Sequence, residues 1–372
     1  LEVIWPDEKI TRLKDVESNS TIHISYLDVE KEKKSEVNEI SKKFEPFRIN
    51  GLEHVHKELY FPEFDREKLM PYGLTQEGPA MAVADINQDG LQDIFIGGSK
   101  GFSGVLFMAT SSGFSKTNQD IFALDKKSED VDAIFTDIDI DGDLDLFVVS
   151  GGGEYYNEVE QCLDRVYLND GHGNFNKSDS TLPVYYHNGS VVKSSDIDND
   201  GDIDYFVGTR SFPNAFGKPP KSFLLENNNG KLTITQNDLF QDVGMVTDGV
   251  FLDYDSDGDD DLFLTAEWRK IQLFENDKGK FKNVTNQQFI KNPYGLWQAA
   301  TPFDVDKDGD LDLVVGNVGL NTKFRASSDY PLKMYRYDFD GNEKEETIVS
   351  MAKNGVYYPV DSKEKLSSQL DL

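Results

Sequence analysis

The chain has 372 residues, 38% of them hydrophobic and 12% aromatic, and a formal net charge of −30. Length and composition describe a folded chain with room for one large or two medium cores and exclude a disordered one. The acidity argues against nucleic acid and anionic membrane surfaces as partners, and the single cysteine, Cys162, excludes an intrachain disulfide.

The first elements are small. Leu1–Trp5 reads as a strand, Pro6–Lys9 as a turn, Ile10–Leu13 as a strand and Thr21–Tyr26 as a third, alternating strand. Residues 1–28 thus form a β segment too small to stand alone, one expected to pack on another domain. The opening residues lack an initiator Met and the basic and apolar regions of a signal peptide, so the chain reads as a mature or excised piece of something longer. No apolar run reaches the length of a transmembrane helix, so no direct membrane insertion is expected of it. Residues 29–48 read as a mixed-charge linker. His54 and His56 follow; two His one residue apart can share a metal on one strand face, but are more commonly surface residues.

From Met81 onward, short β-branched and aromatic runs come in pairs. Met81–Ala84, Ala133–Thr136 and Gly249–Leu252 precede a turn-rich stretch; Ile94–Ile96, Leu146–Val149, Tyr205–Val207, Leu262–Leu264 and Leu313–Val315 follow one. These runs alternate poorly, as strands buried on both faces do.

Between the runs lies one nine-residue frame, five times over, with side-chain oxygens at positions 1, 3, 5 and 9 and glycine at 6. The first copy is Asp85, Asn87, Asp89 and Asp93, with Leu91 offering its backbone carbonyl at position 7. The second is Asp137, Asp139, Asp141, Asp143 and Asp145; the third is Asp196, Asp198, Asp200, Asp202 and Asp204. The fourth is Asp253, Asp255, Asp257, Asp259 and Asp261, and the fifth is Asp304, Asp306, Asp308, Asp310 and Asp312. Their starts are 52, 59, 57 and 51 residues apart, the spacing of a repeat architecture. Carboxylates so close repel one another. Ca²⁺ removes that cost, because it takes about six to eight oxygen ligands and suits a loop with a sharp turn at a glycine in position 6. An EF-hand is excluded: it needs a bidentate Glu at position 12, where this chain has Ile96, Val148, Val207, Leu264 and Val315. The expected cofactor is therefore calcium, as five structural ions. The five loops hold 24 of the 68 acidic residues, and five divalent ions would bring the net charge to −20. A weaker sixth copy, Asp338, Asp340, Asn342 and Glu346, has Glu343 where the glycine belongs. A non-glycine residue there must accept a positive φ, and metal binding at this copy is left open.

A second signature follows three of the loops: Asn169 with Gly173, Asn227 with Gly230, and Asn276 with Gly279, each inside two apolar runs, which marks a tight hairpin. Each repeat is then strand, metal loop, strand, connection, strand, Asn/Gly turn, strand. Four antiparallel strands per repeat make a β-propeller blade. The expected fold class is all-β, a propeller of four-stranded blades over 49–372, with six blades counted.

These loops inside four-stranded repeats resemble the FG-GAP or VCBS repeats of the integrin α-subunit propeller. Val3–Asp7 with Asn19 resembles the ASPIC/UnbV module. His56, Glu58, Leu69, Pro71, Gly78-Pro79 and Asp85–Gly90, with Gly319–Phe324 and Tyr337–Asn342, are similar to large VCBS-repeat proteins of the cartilage acidic protein type. The resemblance implies seven blades, the seventh supplied by residues 49–75 or missing. It also implies that residues 1–28 are the tail of a preceding domain, and that the chain is part of a larger cell-surface or extracellular protein, many relatives being outer-surface lipoproteins of Bacteroidetes.

In such a blade the metal loops and Asn/Gly turns share one end, and the long connections share the other. The connections carry Tyr155, Tyr156, Arg210, Phe212, Trp268, Arg269 and Asn321. These either form a face for a protein or glycan ligand or fold back as local cores. The expected function is a calcium-stabilised binding or scaffold module. The alternative is a propeller-type polysaccharide lyase or hydrolase; two carboxylates with an Arg or Lys inside a pocket on the connection face would favour it. No catalytic triad, phosphate loop or metal-ligand His pair at helical spacing is present, and no catalytic residue is assigned.

Overall fold

The paired apolar runs become antiparallel strands, and the frames between them become their turns. The computed structural model describes residues 2–5, 9–16, 21–26, 47–155, 159–235, 238–288 and 294–370. The chain divides into two units, Leu1–Arg48 and Ile49–Leu372.

In the first unit β1 (Glu2–Ile4) pairs with β2 (Ile10–Arg12), Glu2 opposite Arg12. Residues 21–26 form no strand, contrary to their alternating pattern. Tyr26 is tied by its side chain instead: its ring packs edge-on against Trp5 at 5.3 Å and its hydroxyl meets Lys9. Alternation alone does not make a strand; a ladder of backbone hydrogen bonds must form as well. Residues 6–8 of the expected turn, and the linker up to residue 46, lie outside the described residues.

The second unit begins with α1 (Glu63–Arg66) and no strand before Met81, so residues 49–75 do not supply a blade. Pro62 and Pro71 interrupt that stretch. Glu63 turns inward, and its carboxylate takes the Leu74 N–H at 2.9 Å and the Thr75 hydroxyl at 3.2 Å, bonds a strand ladder would otherwise make.

Among the described residues three four-stranded sheets follow, then a fourth four-strand meander that continues into a six-stranded sheet. The first is β3 (Met81–Ala84), β4 (Asp93–Ile96), β5 (Val105–Thr110) and β6 (Gly113–Thr117), with α2 (Gln119–Leu124) after it. The second is β7 (Asp130–Thr136), β8 (Asp145–Ser150), β9 (Arg165–Leu168) and β10 (Asn176–Ser178). The third is β11 (Gly189–Ser195), β12 (Asp204–Thr209), β13 (Phe223–Asn227) and β14 (Leu232–Thr235). The fourth is β15 (Met245–Leu252), β16 (Asp261–Arg269), β17 (Gln272–Glu275) and β18 (Lys282–Asn283), followed by α3 (Thr285–Gln288). Each sheet runs in chain order, strand beside next strand. The innermost strands stand in a row, β3 beside β7, then β11, β15 and β19 (Gly295–Phe303). The fold is all-β, of the β-propeller type.

The later repeats depart from four strands. β19 pairs only with β20 (Asp312–Asn317) and, through Glu267 and Leu296, with β16. The last sheet is three-stranded: β21 (Lys333–Tyr337), β22 (Glu346–Lys353) and β23 (Val356–Pro359), with α4 (Lys363–Gln369) behind it. Spacing explains this, because the sixth frame starts 34 residues after the fifth and leaves too little chain for two further strands. Apolar side chains stay exposed at both ends of the row: Met81 and Val83 on β3, and Phe303, Leu311 and Val314 on or beside the β19–β20 hairpin.

The core lies between sheets, and the second strand of each feeds two of its layers. On β8, Leu146 and Val148 pack toward the first sheet, with Phe95 and Tyr167, while Phe147 and Val149 pack toward the third, with Tyr205 and Leu225. On β12, Phe206 joins Leu224, Leu262 and Phe274 in the next layer. Apolar residues at successive positions are thus all buried, which is why these strands do not alternate.

Candidate metal centres and the connection face

All six frames fold alike. The N–H at position 6 donates to the first Asp: Gly90 to Asp85 at 2.8 Å, Gly142 to Asp137 at 3.1 Å, Gly201 to Asp196 at 3.1 Å, Gly258 to Asp253 at 3.0 Å and Gly309 to Asp304 at 3.3 Å. In the sixth frame Glu343 donates to Asp338 at 2.9 Å. Positions 4 and 6 both have positive φ; Gly341 and Glu343 take +76° and +68° there, so the sixth frame carries its glycine at 4 instead of 6. A side chain at left-handed φ costs roughly 1–2 kcal/mol. The glycines at position 6 of the other frames have open space where a Cβ would go, so only backbone strain is at stake. Glu343→Gly is therefore expected to stabilise the fold by about 0.5–1 kcal/mol, read as a higher denaturant midpoint; a lower midpoint would show that the Glu343 side chain carries a contact of its own.

The ninth residue is a staple. Asp145 accepts the Ile138 N–H at 3.0 Å and the Asn169 N–H at 2.8 Å; Asp204 accepts Ile197 at 3.1 Å and Asn227 at 2.7 Å; Asp261 accepts Tyr254 at 3.1 Å and Asn276 at 2.8 Å. The second signature then reaches between sheets. The Asn169 side chain donates to the Ile86 carbonyl at 2.8 Å, Asn227 to Ile138 at 2.9 Å and Asn276 to Ile197 at 2.8 Å, each carbonyl belonging to the loop of the preceding sheet. The sequence marked these residues only as turn formers.

Carboxylate oxygens converge to within 4.8 Å in five frames: Asp137, Asp139 and Asp145; Asp196, Asp198 and Asp204; Asp253, Asp255 and Asp261; Asp304, Asp306 and Asp308; and Asp338, Asp340 and Glu346. The first frame, with Asn87, forms no such carboxylate trio; there the Asn87 amide donates to Asp89 at 3.2 Å. A cation fits the second frame on a direct test, since one Oδ each of Asp137, Asp139 and Asp143 is buried without a hydrogen-bond partner. Burial, reinforced by neighbouring carboxylates, pushes Asp143 up to about 6 and Asp145 to about 7. Asp204 rises to about 7 and Asp261 to about 6 for the same reasons. All-oxygen donor sets of this kind suit hard divalent ions. When bound, such an ion supplies the counter-charge that these loops otherwise lack.

On the connection face the named side chains divide between buried and exposed. Arg210 is 4% exposed and lies between two carboxylates, 2.7 Å from Glu77 and 2.9 Å from Glu267. Glu267 also takes the Tyr72 hydroxyl and, at 2.7 Å, the Gln298 amide. Trp268 has φ +61°, gives its indole N–H to Tyr72 at 3.2 Å, and packs by Met70, Leu74, Phe216 and Met245. Neither is a free binding residue: partners distant in sequence pull both inside. Arg269 pairs with Asp242, and the Tyr155 hydroxyl donates to the Lys127 carbonyl at 2.8 Å. Phe212, 37% exposed, lies under the Lys218 ammonium at 4.6 Å, and Asn321 is exposed. Tyr156 lies outside the described residues. His56 bonds Glu58 at 2.5 Å and its ring is 6.4 Å from that of His54; among the described residues no third metal-ligating group joins them. Burial pushes the Cys162 thiol up to about 11, so it is not a ready nucleophile.

A cleft of about 510 Å³ opens between α1, the connection after β12 and the β21–β22 hairpin, lined by Arg66, Glu67, Asn214, Asn342, Lys344 and Glu346 among others. Asn342 and Glu346 are positions 5 and 9 of the sixth frame.

The family model described as FG-GAP-like repeat matches residues 137–207 and 253–315. These two segments carry FG-GAP-like repeats. The matched segments span the second, third, fourth and fifth frames with their flanking strands, and the FG-GAP-like loops are where the carboxylates converge. No curated protein matches the chain. Among solved structures it is similar to an Agrocybe aegerita lectin described as specifically recognising non-reducing terminal N-acetylglucosamine, at 14% identity and TM-score 0.40, over 79% of this chain and 68% of the lectin. It is also similar to the V. cholerae biofilm matrix protein Bap1, at 15% identity and TM-score 0.31, over 80% of this chain and 37% of that one. Among the described residues no helix is long and apolar enough to cross a membrane.

Proposed function

We propose that this chain is a calcium-stabilised extracellular binding module of a larger surface protein, with residues 1–28 belonging to an ASPIC/UnbV-like preceding domain and 29–48 a linker. The observation that carries the calcium reading is the set of buried, unpartnered oxygens of Asp137, Asp139 and Asp143 within a frame repeated in one register. Such a set is stable only when a cation or protons offset it. The second to fifth loops hold structural ions. The first, with its Asn87, holds a weaker one, and the sixth opens onto the cleft. The cleft is the ligand site: its size suits a small saccharide or a peptide side chain, and its lining offers both donors and acceptors for hydroxyl groups.

The polysaccharide-cleaving alternative asks for two carboxylates and a cation in a pocket on the connection face. The cleft holds Glu67 and Glu346 beside Arg66 and Lys344, but Glu67 accepts the Phe216 N–H at 2.7 Å and Glu346 the Phe339 N–H at 3.2 Å, so both carboxylates are engaged in holding backbone. The binding reading is therefore preferred.

Elemental analysis after dialysis should count at least five calcium ions per chain. A glycan array probed in calcium should show signal that falls at least tenfold for Asn214→Ala/Lys344→Ala. Absence of calcium in the dialysed protein would overturn the stabilisation, and signal indifferent to the double substitution would move the ligand elsewhere.

A further inference from the structure

Opposite the loops, where β7 begins and β8 ends, two carboxyl side chains are buried side by side. Glu129 precedes β7 and is 1% exposed; Glu154 follows β8 and is 6% exposed. Gly152, φ +82°, lies between them: a Cβ there would be 2.5 Å from Glu129 Cγ and 2.6 Å from Glu154 Oε2. Glu129 Oε2 accepts the Lys100 N–H at 2.6 Å. Glu129 Oε1 and Glu154 Oε2 are buried with no hydrogen-bond partner.

The nearby cations are turned to other partners. The Lys100 ammonium lies over the ring of Tyr155 at 4.3 Å and of Phe61 at 5.4 Å. Arg66 donates to the backbone carbonyls of Gly153 at 2.8 Å and Glu154 at 3.2 Å. Among the described residues neither carboxylate has an ion-pair partner. Glu58, Glu63 and Asp130 add negative potential to the pair. Burial pushes Glu129 up to about 9 and Glu154 to about 7. The Lys100 ammonium offsets part of the charge on Glu154, but two adjacent buried carboxylates with no ion-pair partner remain costly until a cation or a proton joins them.

We propose that Glu129 and Glu154 hold a hard divalent cation of the calcium class on the connection face, a site separate from the repeat loops. The donors are all oxygen, the preference of calcium or magnesium and not of zinc. A cation here ties the Gly98–Lys100 turn of the first sheet to the connection after β8, through Glu129 and Glu154. This site does not depend on the ligand-binding reading of the cleft.

The test compares the full chain with Glu129→Gln/Glu154→Gln, which keeps shape and removes both charges. Dialysis against calcium followed by elemental analysis should find one ion fewer in the variant, and the variant should melt higher than the parent in chelator. An unchanged ion count overturns the proposal and leaves the pair sharing a proton. Should the variant not fold, terbium luminescence serves. Tyr155 adjoins Glu154, so Tyr155→Phe should lose a component of sensitised emission that the loop sites do not supply. Emission identical in the parent and Tyr155→Phe overturns the proposal equally.

Discussion

Chelating calcium is expected to lower the melting temperature of residues 49–372 by about 15 °C or more. A ligand bound only by the folded state stabilises it by about 2.7 kcal/mol when present at 100 times its dissociation constant. Four loops with converging carboxylates, in the second to fifth frames, would together contribute about 10 kcal/mol, as much as the whole stability of an ordinary domain, about 5–15 kcal/mol. In a unit of this size each kcal/mol is worth roughly 1.5 °C. The loss should be larger than lost affinity alone suggests, because Asp137, Asp139 and Asp143 are each left with a buried oxygen that has no partner. Differential scanning calorimetry in calcium and in chelator reads this directly. Two superimposable transitions would sink the assignment of these loops as metal sites.

Arg210→Met should cost about 3–5 kcal/mol in calcium-saturated protein, the range for removing one partner of a buried ion pair. The guanidinium is the counter-charge for Glu267, itself 3% exposed, and for the more accessible Glu77. Its removal strands Glu267 among Tyr72, Trp268 and Gln298, none of them charged. A companion variant separates charge from packing. Replacing the group together, as Arg210→Met/Glu77→Gln/Glu267→Gln, should recover most of the loss, because exchanging a whole buried ionic cluster for neutral groups is often close to neutral. Denaturant unfolding measures both. A single variant within about 1 kcal/mol of the parent would mean that water reaches Glu267 and the cluster is no clamp.

What was legible in the sequence was local. A nine-residue turn with oxygens on alternate positions is specified by its own residues, and so is a hairpin around an Asn and a Gly, so both could be read directly. The runs after the loops were legible as strands for a related reason: burial on both faces removes alternation, as Leu146 to Val149 show. Contacts between distant segments were not legible. Arg210 meets Glu77 across 133 positions, and no pattern near either residue announces it. Trp268 looked like a loop aromatic because nothing in its neighbourhood marks the left-handed backbone that turns it inward. Tyr26 shows the converse, an alternating stretch that reads as a strand yet joins neither edge of the β1–β2 pair, its side chain meeting Trp5 and Lys9 instead. The short fifth repeat was visible in the spacing from Asp304 to Asp338, where frame counting alone passed over it.

The side-chain amides of Asn169, Asn227 and Asn276 give the molecule a polarity. Each ties a turn to the loop of the sheet before it, never the sheet after, so the loops behave like sites on a one-dimensional lattice with nearest-neighbour coupling. The fourth loop sits at the unlatched end, because the fifth repeat stops after two strands and has no turn to reach back. An ion leaving that loop relaxes nothing downstream, whereas one leaving the second loop slackens the carbonyl that anchors the third sheet. Ion loss from the fourth loop thus loosens no neighbouring sheet through these amides, whereas loss from any of the first three slackens the anchor of the next.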